Sequence, residues 1–161
     1  MKAKKSESSS PAPKARGRSL ARGEERALRE VCAFIDAHCD SGEPLRLDAL
    51  AKRAGFSASS LRRLFRRELG VTPRQYVEAR RFERLRGDLR GEGERSITDS
   101  IYQAGFASPS RVYEQTGERL GMTLSEYRAG GRGVEISYAL VATEFGPLMI
   151  AATDRGLCSV R

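Results

Sequence analysis

The spacing of hydrophobic residues predicts a mainly helical chain. From Glu24 onward, apolar side chains recur at steps of three and four residues, which is the period of a helix with one buried face. The first such run consists of Leu28, Val31, Cys32, Ile35 and Cys39. It stops at the turn sequence CDSGEP, whereas residues 1–23 have no such period and are rich in Lys, Ser, Pro and Arg. We therefore predict a first helix from Glu24 and a disordered basic tail or linker at residues 1–23.

Capping signals divide the rest of this region into short helices. Asp48 is the candidate N-cap of one helix, and Gly55 can supply the left-handed residue that ends it. Ser57 is the candidate N-cap of a basic helix over residues 57–69. The sequence TPRQ at 72–75 combines a capping threonine, a proline and a glutamine. It therefore predicts a capping box at the start of a longer helix that runs towards Leu89.

The same order of signals occurs twice. RAGFSASSLRRLFRRELGVTPRQY at 53–76 is followed by QAGFASPSRVYEQTGERLGMTLSEY at 103–127. In the second copy, Ser96 is a candidate N-cap, Ala107-Ser108 opens the next helix, and TLSE repeats the capping box. Two short helices joined by a glycine turn are typical of a helix-turn-helix. We predict a mainly α fold with two such units joined by a long helix.

The residues after the second copy have a different pattern. VEISYALVAT, GPLMIAAT and GLCSVR are rich in β-branched and apolar residues, and the sequences EFGP and DRG between them are turn signals. We predict the first strands of an incomplete antiparallel sheet within residues 133–161. Because the sequence stops inside the third strand, we expect it to be a fragment or a truncated product.

The net charge favours a polyanionic partner. It is +8, and the basic residues are concentrated in the tail and around the first copy of the repeat. Nucleic acid is favoured over a membrane surface, because no basic amphipathic helix carries the large aromatic residues of an interfacial membrane anchor. No apolar run approaches the roughly 20 residues of a membrane span and there is no secretory signal, so we predict a cytoplasmic protein. Arginine that only maintains solubility is the alternative.

The cysteine and histidine spacing does not indicate a metal site. The three cysteines show no CxxC or Cys/His spacing, and the chain has one histidine. Cys32 and Cys39 stand in the first helical run, where they can serve as small apolar residues on one helix face. Cys158 lies on a predicted strand. We predict no metal, no cofactor and no catalytic residue in this chain.

Together these features resemble the double helix-turn-helix DNA-binding domain of the AraC family of bacterial transcription regulators, over residues 24–130. The shared marks are the two Ala-Gly-Phe turns and the two Leu-Gly-x-Thr sequences that follow them. The resemblance implies a domain at 24–132 that regulates transcription, as an activator, by sequence-specific binding to double-stranded promoter DNA. It also suggests RNA polymerase as a further partner and a monomer on DNA.

Within that family, the chain is most similar to members in which the sheet of an O6-alkylguanine DNA methyltransferase follows, which implies a response to DNA alkylation. The sequence lacks the Pro-Cys-His-Arg motif of that enzyme's nucleophile and the four-cysteine zinc site found in such members. Cys158 has no neighbouring histidine or base to activate it. One alternative is a fragment of a DNA-repair methyltransferase whose catalytic part lies beyond Arg161, and another is a nonspecific nucleic-acid binder.

Helical geometry singles out the residues of the first copy that could contact DNA. On the predicted helix 57–69, the apolar residues share one side and the candidate residues lie largely opposite. We assign base or near-base contacts to Ser59, Ser60, Arg62 and Arg63. We assign phosphate contacts to Arg66 and Arg67. Arg63 is the strongest single candidate, because a guanidinium can bind guanine O6 and N7 together.

In the second copy, the candidate DNA-binding residues are Ser108, Ser110, Arg111 and Glu114. Glu114 could accept a hydrogen bond from cytosine N4, but phosphates would repel it, and family members commonly carry a basic residue near this position. Gly117 lowers the helix propensity there. We therefore expect the first unit to dominate affinity and the second unit mainly to position it.

Overall fold

The computed structural model describes residues 22–41, 45–91 and 95–161, and most of the predicted tail lies outside these ranges. Within the described residues, seven helices precede three strands. The helices are α1 (Arg22–His38), α2 (Leu47–Arg53), α3 (Ala58–Leu69), α4 (Pro73–Arg90), α5 (Ile97–Gln103), α6 (Pro109–Leu120) and α7 (Leu124–Arg128). The strands are β1 (Ser137–Thr143), β2 (Gly146–Thr153) and β3 (Gly156–Val160). The predicted mainly helical fold with a small antiparallel sheet is confirmed.

The predicted helix starts are confirmed where a side chain caps the helix. Ser57 accepts a hydrogen bond from the Ser60 amide at 3.2 Å at the start of α3. Capping boxes begin α4 at Thr72 and α7 at Thr123, and the hydroxyl of Ser96 caps α5. These caps satisfy amide groups that a helix leaves without intrahelical partners, which is why the sequence signals place the boundaries so well.

Two predicted boundaries are wrong by one or two residues. The chain enters α2 at Leu47, so Arg46 occupies the N-cap position and makes no side-chain capping bond. Asp48 lies instead in the first turn, where the positive end of the helix dipole still favours a carboxylate. The first helix begins at Arg22, so the end of the predicted tail is already helical. Helix ends shift by this much because one extra turn residue changes the backbone energy little.

Each helix-turn-helix unit has its own hydrophobic core, and α4 contributes to both. The first core contains Ile35, Leu61, Phe65 and Val77 together with other residues of α1 to α4. The second core contains Phe82, Leu85, Leu89, Ile101 and Leu120, with further residues of α4 to α7. Val77 and Phe82 lie about 140° apart around the same helix, so α4 presents one face to each core. The long helix therefore connects the two units rigidly.

Polar contacts between α1 and α4 also hold the two units together. Arg80 Nε lies 2.6 Å from Asp36 Oδ1, and Arg84 donates to the Asp36 carbonyl oxygen at 2.5 Å. Gly105, in the turn of the second unit, has φ +88° and packs against the backbone of residues 39 and 40. A Cβ at this position would overlap the Cys39 carbonyl oxygen, so only glycine permits this approach.

Among the described residues, the sheet packs on the second unit. Its strands run antiparallel in the order β1-β2-β3, and β1 is exposed along its whole length. The hydroxyl of Thr153 donates to the Gly121 carbonyl oxygen, and Arg155 Nη1 lies 2.8 Å from Glu126 Oε2. Cys158 packs against the second core. The predicted strands are confirmed, and they form an attached layer beside α6 and α7.

Candidate nucleic-acid interface

The second helices of the two units, α3 and α6, are equivalent in length and position. Both have 12 residues, both follow an N-cap serine, and both end at a left-handed glycine. Each has one buried face, formed in α3 by Leu61, Leu64 and Phe65 and in α6 by Val112, Thr116 and Leu120. The opposite face of each helix can therefore contact a partner.

The candidate residues of α3 lie on its exposed face. Ser59, Arg62, Arg63 and Arg66 are exposed, whereas Ser60 is half-buried. Within the described part of the chain, none of these arginines forms an ion pair, so their guanidinium groups are available to an anionic partner. This arrangement agrees with the helical geometry from which they were selected.

Ser60 lies between the N-cap of α3 and the guanidinium group of Arg63. Its hydroxyl accepts a hydrogen bond from Ser57 Oγ at 2.9 Å, and it lies 3.5 Å from Arg63 Nη2. The cap of α3 therefore holds Ser60, and Ser60 in turn lies beside the guanidinium of Arg63. A base contact through Ser60 itself is less accessible than one through Arg63.

Arg67 differs from the other arginines of α3 because it already has carboxylate partners. Its Nη2 lies 2.8 Å from Glu24 Oε2 on α1, and its Nε pairs with Glu68. The hydrogen bonds to Glu68 and then to Glu24 raise the pKa of Arg67 above its ordinary value. To contact a phosphate, this side chain must first leave Glu24, a cost that Arg66 does not have.

The exposed face of α6 is nearly neutral. The candidate residues of the second copy, Ser108, Ser110, Arg111 and Glu114, are all exposed. Arg119 is exposed but already engaged: its guanidinium carbon lies 5.1 Å from the centre of the Phe82 ring, and its Nη2 lies 3.8 Å from Glu78 Oε2. Arg111 is exposed and forms no ion pair among the described residues.

The sheet covers the C-terminal half of α6. A Cβ on Gly156 would lie 3.0 Å from the Gly117 carbonyl oxygen, and one on Gly121 would lie 2.5 Å from the Gly156 carbonyl oxygen. The turn between β2 and β3 thus lies directly against the end of this helix. Gly117, selected from the sequence only as a weak helix former, is where the turn approaches the helix backbone. The N-terminal half of α6, with its candidate residues, remains uncovered.

A cleft of about 280 Å³ lies between the two units, and Ser108 and Arg111 are the two of its lining residues that were selected from the sequence. Arg46 and Arg74 line it from the first unit, and Ser108, Arg111 and Gln115 line it from α6. Arg74 was predicted only as part of the capping sequence TPRQ, and Arg46 was not selected. Their only sequence signal is that a basic residue begins each of two helices, and this does not show that the helix ends converge.

The three cysteines occupy positions of low reactivity. Burial, the largest effect, raises the pKa of the Cys32 thiol, and burial also raises the pKa of Tyr76 beside it to about 12. Cys39 is fully buried, and Cys158 packs against the second core. Among the residues that the structure describes, no group of three His, Cys, Asp or Glu side chains could hold a metal ion. None of the described helices is long and apolar enough to cross a membrane.

Two linked units, each with an exposed second helix, define a helix-turn-helix DNA-binding protein. Residues 50–130 match a family model described as a helix-turn-helix domain. The chain belongs to the AraC family of helix-turn-helix transcription regulators. The resemblance inferred from the two Ala-Gly-Phe turns is therefore confirmed.

Individual relatives support this assignment. The chain is 40% identical over 117 residues to the bifunctional transcriptional activator/DNA repair enzyme Ada of Escherichia coli K12, a match that covers 73% of this chain and 32% of Ada. It is 34% identical over 107 residues to the regulatory protein SoxS of the same organism, covering 65% of this chain and 94% of SoxS. The chain thus spans about a third of the length of Ada.

A solved structure shows the same fold. It is the AraC-type DNA-binding domain-containing transcriptional regulator from Chromobacterium violaceum, which superimposes with a TM-score of 0.60 at 29% sequence identity. The match covers 68% of this chain and 95% of that protein. The match therefore extends over almost all of that protein and about two thirds of this chain.

Proposed function

We propose that this chain binds double-stranded DNA at a specific sequence and regulates transcription, with α3 in one major groove and α6 in the next. The observation that carries this proposal is the exposed face of α3. It holds Arg62, Arg63 and Arg66 without acidic partners among the described residues, on a helix whose other face is fully packed. A rigid helix with an exposed basic face matches the shape and charge of a major groove.

Within α3, we propose different roles along the helix. Ser59, Arg62 and Arg63 lie in the N-terminal half, which reaches base edges when such a helix enters the groove. Ser60 positions Arg63 through their 3.5 Å contact. Arg66 lies one turn further on and contacts phosphate, and Arg67 does so only when it releases Glu24.

For α6, we propose a smaller contribution to sequence preference. Ser108, Ser110 and Arg111 reach the DNA through the uncovered N-terminal half of the helix. The Glu114 carboxylate and the DNA phosphates are both negatively charged and repel each other. The favourable contact open to Glu114 is therefore with a hydrogen-bond donor such as cytosine N4. The second unit thus contributes position and orientation more than base discrimination.

We propose further that the chain acts as an activator in the cytoplasm, as a monomer on its site and in contact with RNA polymerase. Support comes from the likeness to Ada, a protein described as a transcriptional activator and DNA repair enzyme. We also propose that this chain transfers no methyl group from O6-methylguanine to itself, because none of its cysteines lies in a site that stabilises a thiolate. Mass spectrometry after incubation with methylated duplex would contradict this by showing one added methyl group on a cysteine.

Selection of bound duplexes from a random pool tests the main proposal. We expect enrichment of one consensus whose span covers two successive major grooves. Competition with random duplex should then leave the selected complex largely intact, because specific complexes are typically tighter by at least about 10³-fold. A pool that shows no enrichment, with equal competition by random duplex, would mean that the chain binds nucleic acid without sequence preference.

A further inference from the structure

We propose that the cleft between the two helix-turn-helix units binds the DNA backbone that crosses from one major groove to the next. We call it the arginine cleft, and its three outward arginines are Arg46, Arg74 and Arg111. The inference rests on the proposed function, since it presumes that α3 and α6 bind the same face of one duplex. It assigns a binding role to Arg46 and Arg74 and a backbone contact to Arg111.

The arginines of the cleft come from three elements in both units. Arg46 immediately precedes α2, Arg74 is in the first turn of α4, and Arg111 is in the first turn of α6. All three are exposed, and the cavity they line measures about 280 Å³. That volume accommodates a phosphate group with adjoining sugar atoms but not a duplex, so only one stretch of backbone can enter.

The charge around the cleft is strongly unbalanced. Arg46 and Arg111 have no acidic partner within residues 22–41, 45–91 and 95–161. Arg74 Nε lies 3.5 Å from Oε1 of the half-buried Glu78, and because the arginine itself is exposed, an anion can compete for its guanidinium group. Glu78 is the acidic residue that lines the cleft, and its other oxygen faces Arg119 at 3.8 Å. The cleft therefore favours an anion.

Geometry indicates which anion. When two helices occupy successive major grooves on one face of a duplex, the minor groove between them faces the protein, bordered by both phosphate backbones. The arginine cleft lies between the units that carry those helices and includes Ser108 and Arg111, at the uncovered end of α6. A guanidinium fork can bind two phosphate oxygens at once, so arginine suits this contact better than lysine.

The cleft is formed before any DNA arrives. Its width depends on how the two units pack, which Gly105 and the contacts of Arg80 and Arg84 with Asp36 fix. Binding therefore requires ordering of the arginine side chains but no movement of the units, which keeps the entropic cost low. A preformed cleft also sets how far the DNA must bend to reach both reading helices.

The test compares two double variants of the full chain on the selected duplex. Arg46→Gln/Arg74→Gln removes two cleft charges that lie outside α3 and α6 but keeps side chains of similar shape. Arg26→Gln/Arg29→Gln removes two exposed charges from α1 as a matched control. Affinity is measured over a range of salt concentrations, and circular dichroism checks that both variants remain helical.

We expect the cleft variant to bind more weakly and its log–log salt slope to fall by about two, since each phosphate contact contributes about one to the slope. Its preference for the selected over random duplex should stay the same, because phosphate contacts carry no base information. The control should keep the slope of the unaltered chain. Equal slopes for all three proteins would overturn the proposal.

Neutral phosphates make the test specific to position. Methylphosphonates are placed only in the backbone between the two major-groove segments of the selected duplex. They should weaken binding of the unaltered chain by about tenfold and leave the cleft variant almost unaffected, because the lost contact is already missing there. Equal weakening of both proteins would contradict the assignment.

Two further outcomes remain distinguishable. Inorganic phosphate at constant ionic strength should not displace the duplex, because the backbone enters the cleft as part of a larger interface. Displacement would mean that the cleft binds a small phosphate and not DNA, which overturns this inference. If the unaltered chain shows no sequence preference, the proposed function is wrong. The salt slopes of the cleft variant and the control still show whether the cleft contacts phosphate.

Discussion

The two helix-turn-helix units have nearly the same backbone but different surfaces. Arg62 and Arg63 of α3 correspond to Tyr113 and Glu114 of α6, so the second helix of the first unit is strongly basic and that of the second unit is nearly neutral. Both helices begin after a serine and end at a left-handed glycine. Duplication of the fold therefore does not duplicate the surface charge, because helix formation depends on caps and buried residues and not on the exposed face.

The surroundings of the two units differ as much as their charges. The turn glycines of the first unit, Gly55 and Gly70, have open space where a Cβ would lie. Their counterparts, Gly105 and Gly121, are in close contact with α1 and with the β2–β3 turn. The first unit is thus free to approach a partner, and the second unit is where α1, α4 and the sheet meet.

The largest effect is expected from Gly105→Ala compared with Gly55→Ala. Both substitutions place alanine at positive φ, which costs roughly 1–2 kcal/mol. Gly105→Ala must also displace the backbone of residues 39 and 40, so we expect a total loss of about 3–5 kcal/mol in the free energy of unfolding. Urea denaturation, monitored by circular dichroism, measures the free energy of unfolding of both variants. Equal losses would show that the contact between the units is not tight.

A smaller difference is expected between Gly121→Ala and Gly70→Ala. The methyl group on residue 121 would meet the Gly156 carbonyl oxygen, which belongs to an exposed turn that can shift. We expect a loss of about 2–3 kcal/mol for Gly121→Ala and about 1 kcal/mol for Gly70→Ala. In a chain shortened to remove the sheet, Gly121→Ala and Gly70→Ala should lower the free energy of unfolding equally. A difference that persists in the shortened chain would mean that the β2–β3 turn does not cause it.

The reading helices can be compared through Arg63→Ala and Glu114→Ala. Arg63→Ala should weaken binding to the selected duplex by about 1–3 kcal/mol and relax the preference at one base pair. Glu114→Ala should change affinity little or raise it, because it removes a carboxylate near phosphates. Fluorescence anisotropy with selected and random duplexes measures both. If Arg63→Ala loses the same affinity for the selected and the random duplex, the assignment of a base contact to Arg63 is wrong.

Arg66→Ala provides the control for that comparison. It removes a second exposed arginine from the same helix, and we expect weaker binding to all sequences alike, since phosphate contacts are common to every duplex. Arg67→Ala, predicted from the sequence to behave in the same way, also breaks the ion pair with Glu24 and is the less direct probe.

The smallest effect is expected from shortening the chain to residues 24–133. Both helical cores and α4 remain, so the shortened chain should fold cooperatively and retain specific binding. The loss of apolar contacts with Val134 and Cys158 should lower the free energy of unfolding by about 1–2 kcal/mol. Loss of the helical circular dichroism signal would show instead that the sheet is needed for the second unit to fold.

Most of the helical fold could be predicted from the sequence because its signals are local. Ser57, Thr72, Ser96 and Thr123 each cap a helix within three residues of their own position. The exposed face of α3 follows from helical periodicity in the same way. The start of α2 could not be predicted from Asp48, since the entry of the chain into that helix depends on how Leu47 packs against the first core.

The sequence by itself determined that this chain folds into two helix-turn-helix units and that the second helix of the first unit is the more basic one, because caps, glycine turns and a helical period act over a few residues. Only the tertiary structure decided that Glu24 engages Arg67, that Arg46 and Arg111 line one cleft, and that the sheet covers the end of α6. Each of these contacts joins residues far apart in the chain. Their distance is set by the packing of whole helices, which no local pattern of residues encodes.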